Sequence, residues 1–449
     1  MTQPLPSPSP AQTSHGDDRG AGRRPVTVAE AEERITSACF APRAPGPVGV
    51  EVERTVHWAA DPARAVTVAE VEAALAPLWD AVPGGAVLSV EPGAQIELSS
   101  ACAPSPAALV GAVREALDAV DRHLARAGLA CGPLALDAHR PPRRSLHAPR
   151  YAAMQRYFDA AGPAGRTMMC STASLQVCLE AGTEAEGRAG ARERWRRLHS
   201  LLPVLVAMSA NSPFQNGAPT GWKSARQRAW GRIDPARTEA VPARFPGLEP
   251  EEAWAQYALE APLLCLPREG TDWSAPAGLT LRGWLEGHGP WPATLADVDY
   301  HLTTLFPPVR PRGFLELRAL DAQAGGDWEA LVSLTAALAD DAEASDAAAA
   351  ACEPLAALPA AMGTAARHGL DHPLLARAAA ACAEAALGAL PRLGLDPRTR
   401  ARASAFAESY PLVGRCPADA RLEQWRRSGR LWHGPRVDED GSEEREEAS

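Results

Sequence analysis

The sequence lacks most of the short motifs that assign a function directly, and it is also poor in lysine, with Lys223 the only one among 449 residues. It has neither a GxxxxGK[ST] phosphate loop nor a GxGxxG segment that opens a helix. The nine cysteines include no CxxC pair, which argues against a zinc site and fits a reducing compartment. No apolar run reaches the roughly 18 residues that span a bilayer, and the polar start lacks the apolar stretch of a secretion signal. We therefore expect a cytoplasmic protein that does not bind a membrane.

The charge and the composition of the chain narrow the remaining classes of protein. The formal net charge is −10, and the final segment VDEDGSEEREEAS carries −6 of it, so the rest of the chain is nearly neutral. A nearly neutral body argues against nucleic acid as a partner. The 46% hydrophobic and 22% charged residues are typical of a globular protein. We expect residues 1–25 to be a disordered tail, residues 26–436 to form a single catalytic domain, and residues 437–449 to be an acidic disordered tail.

Helical and strand patterns alternate along the chain. Apolar residues at helical spacing predict a helix after Thr27, a candidate N-terminal cap, and further helices over about 105–127, 187–210 and 249–259. Strand patterns predict a sheet core within about 45–325, and an Ala- and Leu-rich stretch predicts a helical layer over about 327–408. The sequence therefore predicts an α+β protein with an antiparallel sheet, one face of which is covered by helices.

Four stretches alternate apolar and polar residues at period two, so each directs its polar residues to one face of a sheet. They cover residues 48–53, 87–100, 168–180 and 313–321, and within the second a Pro92-Gly93 turn signal predicts a hairpin. The polar sides carry five glutamates, a glutamine and an arginine, and no lysine: Glu51, Glu53, Glu91, Glu97, Glu316, Gln176 and Arg318.

Such a group of carboxylates requires compensating charge. Two unit charges about 4 Å apart repel by roughly 4 kcal/mol at an effective dielectric constant near 20. A face that merely meets solvent would mix charges of both signs, so we interpret the group as a cation site. Oxygen ligands without His or Cys suit a hard ion such as Mg²⁺, and five glutamates can hold two or more ions. Arg318, two residues after Glu316 on the same face, is placed to bind a phosphoryl group.

Six segments, in family order, resemble glutamate–cysteine ligase. They read GVEVE (49–53), EPGAQIELS (91–99), MMCSTASLQVCLE (168–180), ANSPFQNGAPTGWKSARQRAW (210–230), DPART (234–238) and HLTTLFPPVRPRGFLELRALD (301–321). The likeness spans about residues 45–325 and is to the plant and proteobacterial branch, in particular to its actinobacterial relatives of the ergothioneine pathway. Where relatives commonly read DPxRTG, this chain has Glu239, so a turn that needs a positive φ there would be strained.

The resemblance implies a glutamine-synthetase-like fold, a curved antiparallel β-sheet with helices packed on one face and a funnel-shaped active site on the other. It implies that Arg318 lies near the γ-phosphate of ATP and is catalytic together with Glu53, and that Arg226 holds an amino-acid carboxylate. Gln176 and Asn211 lie in matched segments, and we assign them to substrate binding. It implies ligands for two or more Mg²⁺ ions: Glu51, Glu53, Glu91, Glu97 and Glu316.

The implied reaction joins the γ-carboxylate of L-glutamate to L-cysteine. ATP phosphorylates the carboxylate to γ-glutamyl phosphate, and the amino group then displaces phosphate to give γ-glutamylcysteine for ergothioneine biosynthesis. Three alternatives stay open: a related ligase with a different amine acceptor, a carboxylate-metal hydrolase, and a catalytically inactive binding protein. We expect the partners to be the small molecules ATP, L-glutamate and L-cysteine, and the protein to be a monomer or a weak dimer.

Overall fold

The computed structural model describes residues 24–268 and 270–431 of the chain. The predicted acidic tail, residues 437–449, lies outside the described residues, as does the predicted N-terminal tail except for residues 24 and 25. The grouping of residues 26–436 into one catalytic domain stays a prediction. Within the described ranges, no helix is both long enough and apolar enough to cross a membrane.

One six-stranded antiparallel sheet dominates the strand content of the described residues. The ten strands are β1 (Val48–Arg54), β2 (Val56–Trp58), β3 (Val87–Val90), β4 (Ile96–Ser99), β5 (Leu129–Cys131), β6 (Ser174–Glu180), β7 (Phe214–Gln215), β8 (Ala218–Pro219), β9 (Val309–Pro311) and β10 (Phe314–Asp321). The large sheet has the order β3-β4-β1-β6-β10-β9, and all its neighbouring strands are antiparallel. Strands β2 and β5 form a second small sheet, and β7 and β8 form a third. The four stretches predicted as strands therefore meet in one sheet, with β1 and β6 at its centre.

Helices account for most of the remaining described chain. They are α1 (Val28–Cys39), α2 (Val68–Leu75), α3 (Pro106–Arg126), α4 (Pro149–Asp159), α5 (Ala164–Ser171), α6 (Ala191–Ser209), α7 (Ala225–Trp230), α8 (Pro235–Thr238), α9 (Val241–Arg244), α10 (Pro250–Glu260), α11 (Leu281–Gly283), α12 (Leu295–Leu302), α13 (Asp327–Asp340), α14 (Ala342–Cys352), α15 (Ala361–His368), α16 (Pro373–Ala389), α17 (Pro397–Ser409) and α18 (Pro417–Ser428). The helices predicted near residues 28, 105, 187 and 249 are α1, α3, α6 and α10. The predicted helical layer corresponds to α13–α17.

The first helix begins where the sequence predicts. The Thr27 hydroxyl accepts a hydrogen bond from the Glu30 amide at 3.3 Å, and the Glu30 carboxylate accepts one from the Thr27 amide at 2.9 Å. This reciprocal capping box satisfies two amides that a helix N-terminus otherwise leaves without partners. The predicted cap at Thr27 is confirmed.

Strand alternation divides the large sheet into an apolar and a polar face. Val50, Val177 and Leu317, on three adjacent strands, are at most 1% exposed and belong to the main hydrophobic core. Helices α6 and α13 pack against strands of this sheet, and α3 packs against β1. Burying one such side chain contributes roughly 1.5–3 kcal/mol. The predicted α+β architecture, an antiparallel sheet with helices over its apolar face, is confirmed.

The third predicted strand is shorter than the stretch that predicts it. Residues 168–171 belong to the end of helix α5, and β6 begins only at Ser174. Regular alternation also begins there, because Met168, Met169 and Cys170 form a continuous apolar run that fits a buried helix equally well. Within the predicted loop 211–238, the structure forms the β7-β8 hairpin and helices α7 and α8.

All nine cysteines are free thiols, and six of them are buried. Burial raises the pKa values of Cys39 and Cys170 to about 12. Burial also raises the pKa of Cys131 to about 12, with the Asp121 carboxylate adding to the shift. Cys102 is the exposed thiol of the group. Most of these cysteines therefore act as small apolar side chains of the interior.

Candidate active site

The register of the large sheet places the predicted carboxylates side by side. Glu53 on β1 lies opposite Glu97 on β4, and Glu51 lies between Ser99 on β4 and Gln176 on β6. Side chains directly opposite one another on a sheet face have Cβ atoms about 4.5–5.5 Å apart. Glu91 directly follows the last residue of β3 and lies near Glu51 and Glu53. We call the polar side of the sheet that bears Glu51, Glu53, Glu91 and Glu97 the acidic face.

A cavity of about 430 Å³ lies over the acidic face. We call it the active-site cavity. Besides the sheet, its wall is built by residues of helices α4, α5, α7 and α12. The structure brings six of the predicted site residues together in this wall: Glu51, Glu53, Glu91, Glu97, Gln176 and Arg318.

Hydrogen bonds from two neighbours fix the carboxylate of Glu53. One oxygen accepts from the Ser174 backbone amide at 2.7 Å, and the other accepts from the Gln176 side-chain amide at 2.9 Å. Hydrogen bonds to an ionised acceptor are stronger than those between neutral groups. Glu53 is therefore held in one orientation at the centre of the sheet.

Burial and mutual repulsion raise the pKa values of the other three glutamates of the acidic face. Burial, together with the carboxylate of Glu316, raises the pKa of Glu51 to about 7. Burial, Glu53 and Glu51 raise the pKa of Glu91 to about 7, and burial with the neighbouring carboxylates raises that of Glu97 well above its usual range. The acidic face is thus short of positive charge, and a bound cation would favour the ionised form of each group.

Glu316 has the opposite environment. Its carboxylate accepts from Arg310 at 2.6 Å, from Arg318 at 2.9 Å and from Arg312 at 3.4 Å. Burial alone would raise the pKa of Glu316, but these guanidinium groups lower it far below its usual value. The side chain is fully buried and is itself not part of the cavity wall, whereas the three arginines are. Three cations around one carboxylate leave a surplus of positive charge beside the acidic face.

The turn that carries Glu91 rests directly on helix α5. The Ala94 amide donates to the Glu91 carbonyl at 2.9 Å, and the Gln95 side chain donates to the Thr172 carbonyl at 2.9 Å. A Cβ atom at Gly93 would lie 2.0 Å from the Cys170 carbonyl oxygen, so only glycine fits there without movement of the backbone. The close contact between Gly93 in the predicted Pro92-Gly93 turn and the Cys170 backbone therefore sets the position of Glu91.

Replacing Gly93 by alanine is expected to lower the free energy of unfolding by about 1–3 kcal/mol, because overpacking forces the backbone apart. Turnover should fall as well, since Glu91 moves with the turn. Urea denaturation and a steady-state assay would measure the two effects. Gly111→Ala in helix α3 is the matched control, because a Cβ there meets nothing within 4 Å and should stabilise the helix by up to about 1 kcal/mol. Wild-type stability of Gly93→Ala would contradict the close contact.

Two predicted substrate-binding residues lie outside the cavity wall. Asn211 is fully buried, and its side-chain amide donates to the Pro133 and Ala322 carbonyls at 2.8 Å each. Arg226 is 2% exposed and donates to the Arg318 carbonyl at 2.8 Å. The geometry supports neither as a direct contact to substrate, and both assignments stay predictions.

Both of these residues contact one buried carboxylate, that of Asp321. Asp321, the last residue of β10, accepts from the Asn211 amide at 2.9 Å and from the Ser212 and Ser224 hydroxyls at 2.7 and 2.9 Å. The oxygen that accepts from Ser224 also lies 3.6 Å from a guanidinium nitrogen of Arg226. This network joins the segment 211–226 to the strand that carries Glu316 and Arg318. Sequence reasoning missed Asp321, because an aspartate at the end of a strand has no distinctive local pattern.

Hydrogen bonds from one buried arginine connect the DPART segment (234–238) to its neighbours. Arg237 is fully buried and donates to Asp234 at 2.8 Å, to the Thr304 carbonyl at 2.8 Å and to the Pro262 carbonyl. Glu239 has φ −73° and ψ 151°, which any residue adopts, so the strain expected there does not arise.

Other cavity residues were not predicted as site residues. Arg310 and Arg312 stand at period two before β10, so the alternation that singled out Arg318 could have identified them. Arg150, in the first turn of α4, has no such signal, and neither do the aromatic and methionine residues of the wall. These apolar members are Tyr151, Met154, Met168, Met169, Trp230, Trp273, Tyr300 and Phe306.

The donor set of the acidic face fits a hard divalent cation. It offers four glutamate side chains, none paired with a lysine or arginine among the described residues, and carboxylate oxygens are the protein ligands that Mg²⁺ prefers. In the ranges 24–268 and 270–431, no three His, Cys, Asp or Glu side chains already enclose an ion position. Magnesium is compatible with the chemistry of these residues, and its binding stays a prediction.

The fold is shared with a ligase of known structure. The crystal structure of glutamate–cysteine ligase from Francisella tularensis in complex with AMP superimposes with a TM-score of 0.50, covering 87% of this chain and 86% of that chain. The sequence identity is 11%, so this likeness concerns the fold alone. The antiparallel sheet that bears the acidic face therefore belongs to a fold that is also found in a ligase.

Sequence relatives identify the family. The chain is 40% identical to glutamate–cysteine ligase EgtA of Mycolicibacterium smegmatis over 346 residues, which cover 75% of this chain and 78% of the relative. It is 40% identical over 365 residues to EgtA of Mycobacterium tuberculosis, covering 78% and 81%, and 33% identical over 257 residues to the chloroplastic enzyme of Brassica juncea, covering 56% and 48%. The model of glutamate–cysteine ligase family 2 matches residues 47–443. The chain belongs to this family.

Proposed function

We propose that this protein joins the γ-carboxylate of L-glutamate to the amino group of L-cysteine and converts ATP to ADP and phosphate, as a step in ergothioneine biosynthesis. The observation that carries the proposal is the acidic face with Arg318 in one cavity of a family 2 ligase. The 40% identity to mycobacterial enzymes named glutamate–cysteine ligase supports cysteine as the amine acceptor.

We assign Mg²⁺ to the acidic face. Glu51, Glu53, Glu91 and Glu97 would hold it, and the bound metal would neutralise charge on the phosphoryl oxygens of ATP. The raised pKa values of three of these groups support a site that needs a cation. Glu316 stays a predicted ligand as well. Because three arginines occupy its carboxylate, ligation there requires at least one guanidinium group to move.

The side chains of the cavity supply the remaining functions. The γ-carboxylate of glutamate attacks the γ-phosphorus of ATP, and Arg318 is placed to bind the transferring phosphoryl group as its charge develops. Contacts with Glu316 and Gln176 restrain the Arg318 guanidinium, and the rings of Trp230 and Phe306 lie 5.9 and 6.0 Å from it. These rings shield the acyl phosphate from water until the amine displaces phosphate.

Phosphate release from ATP is expected only when Mg²⁺, L-glutamate and an amine are all present, with cysteine the fastest amine. The reason is that the carboxylate of glutamate must first be phosphorylated, and that phosphate leaves only when the amine displaces it. A coupled phosphate assay with single-component omissions measures this, and mass spectrometry identifies the γ-glutamyl product.

The same assay distinguishes the alternatives. Release of phosphate that is independent of glutamate would exclude the ligase and support a carboxylate-metal hydrolase. Faster turnover with another amine than with cysteine would show that the acceptor, and not the ligase class, is wrongly assigned.

A further inference from the structure

Strand β10 contains a bulge at the arginine that we assign to phosphate. The pairing of β10 with β6 is regular up to Leu317 and resumes at Leu320, with a single residue of β6 between the two partners. Arg318 and Ala319 therefore lie together opposite Gln176. A β-bulge of this kind bends the strand and changes the direction of a side chain, and bulges are common next to active sites.

The bulge changes which face of the sheet receives the residues that follow it. Unbroken alternation would place Leu320 on the polar face, on the same side as Glu316 and Arg318. Leu320 is instead fully buried in the main hydrophobic core, whereas Arg318 lines the active-site cavity. The bulge thus lets one strand present Arg318 to the cavity and return to the core within two residues.

Two side chains of helix α7 bind the carbonyl groups of the bulge. Gln227 donates to the Ala319 carbonyl at 2.7 Å, and Arg226 donates to the Arg318 carbonyl at 2.8 Å. A second guanidinium nitrogen of Arg226 lies 3.4 Å from the Ala319 carbonyl. Because buried carbonyl groups without donors are costly, these hydrogen bonds stabilise the bulged conformation.

Helix α7 is also attached to the end of β10. Ser224, the N-terminal cap of this helix, accepts a hydrogen bond from the Gln227 amide at 3.1 Å and donates one to the Asp321 carboxylate at 2.9 Å. Helix and strand therefore contact each other at two points, one at Ala319 and one at Asp321. The conformation of the strand at Arg318 depends on where α7 lies.

We propose that Gln227 is a positioning residue that acts through Arg318. Its hydrogen bond to the Ala319 carbonyl fixes the bulge, and the bulge directs the Arg318 guanidinium into the cavity. There the side chains of Gln176 and Glu316 restrain it further. This inference rests on the proposed ligase function, in which Arg318 binds the transferring phosphoryl group. Gln227 itself touches no substrate in this proposal.

Gln227→Met is expected to lower kcat roughly 10-fold, because methionine has nearly the size of glutamine but no donor for the Ala319 carbonyl. A misplacement of about 1 Å can cost on the order of 100-fold in rate. The fall here is smaller because Arg226 still binds the bulge. The KM values for cysteine, glutamate and ATP should stay within about threefold of wild type. Steady-state phosphate release with each substrate varied in turn measures these constants.

A double-substitution cycle tests whether Gln227 acts through Arg318. Two residues that act as one unit have effects that do not multiply. When Arg318→Lys is already present, Gln227→Met should therefore lower kcat by less than about twofold. A residue that only stabilises the fold would lower kcat by the same factor with and without Arg318→Lys.

Two further variants complete the test. Gln424→Met, at an exposed position on helix α18, is the control with the same substitution and should keep wild-type constants. Gln227→Asn keeps the amide but is one methylene shorter, so its kcat should lie between those of wild type and Gln227→Met. It replaces Gln227→Met in the cycle if that variant does not fold, which thermal melts establish.

Each contrary result has a distinct meaning. A wild-type kcat in folded Gln227→Met would overturn the proposal, and so would an equal loss with and without Arg318→Lys. A higher KM for one substrate at unchanged kcat would make Gln227 a binding residue and would overturn it as well. If the wild-type protein releases no phosphate in response to glutamate and an amine, the proposed function itself fails, independently of Gln227.

Discussion

Glu53→Gln is expected to lower kcat by roughly 10³-fold or more while the protein stays folded. The substitution keeps the size of the side chain and an acceptor for the Ser174 amide, but it removes a negative charge from the centre of the acidic face. A metal that neutralises transition-state charge contributes several kcal/mol, and each 1.36 kcal/mol is a factor of ten in rate.

Two measurements separate catalysis from folding in this variant. Steady-state phosphate release gives kcat, and calorimetric titration with MgCl₂ gives the affinity for the metal without turnover. Glu72→Gln, at an exposed position on helix α2, is the charge-matched control and should behave as wild type. Wild-type activity and metal affinity in Glu53→Gln would remove Glu53 from the metal site.

Arg318→Lys is expected to reduce kcat by roughly 10²- to 10³-fold, although the positive charge is retained. Arg318 contacts both Gln176 and Glu316, and a lysine ammonium cannot span these partners and a phosphoryl group at once. Arginines that stabilise a transferring phosphoryl group contribute large factors to kcat, which is the origin of this magnitude.

The KM values distinguish a catalytic from a structural effect at this position. A group that acts on the transferring phosphoryl lowers kcat with little change in the KM for cysteine. Loss of folding would instead lower the amount of active enzyme, which active-site titration and a thermal melt detect. Arg122→Lys, at an exposed position on helix α3, is the matched control. An unchanged kcat in folded Arg318→Lys would show that this side chain does not act on phosphate.

Much of the acidic face could be predicted because strand alternation is a local property. Period two in residues 48–53 places Glu51 and Glu53 on one face wherever the strand is located. The same reasoning identified Glu97 and Arg318. What alternation does not give is the partner of each group, since Glu316 and Glu51 follow the same pattern but have opposite charge environments. That difference arises from Arg310 and Arg312, which β9 brings alongside β10.

The rest of the site depends on long-range packing. Arg150 reaches the cavity because helix α4 lies beside Thr303, 153 residues further along the chain. Asn211 and Arg226 stand in a segment that resembles the family, yet both contact the buried Asp321 and neither lines the cavity. The resemblance of this segment therefore predicted that the two residues are important. It did not predict whether they contact substrate themselves or hold in place the strand that contacts it.

The burial of most cysteines has a chemical consequence for a protein proposed to act on cysteine. Exchange with cystine or other disulfides requires a thiolate, and a thiol with a pKa near 12 supplies almost none at neutral pH. Cys39 and Cys170 are in addition closed off from solvent. These two thiols thus resist mixed-disulfide formation with oxidised forms of the proposed substrate, whereas Cys102 is the thiol that solvent reaches.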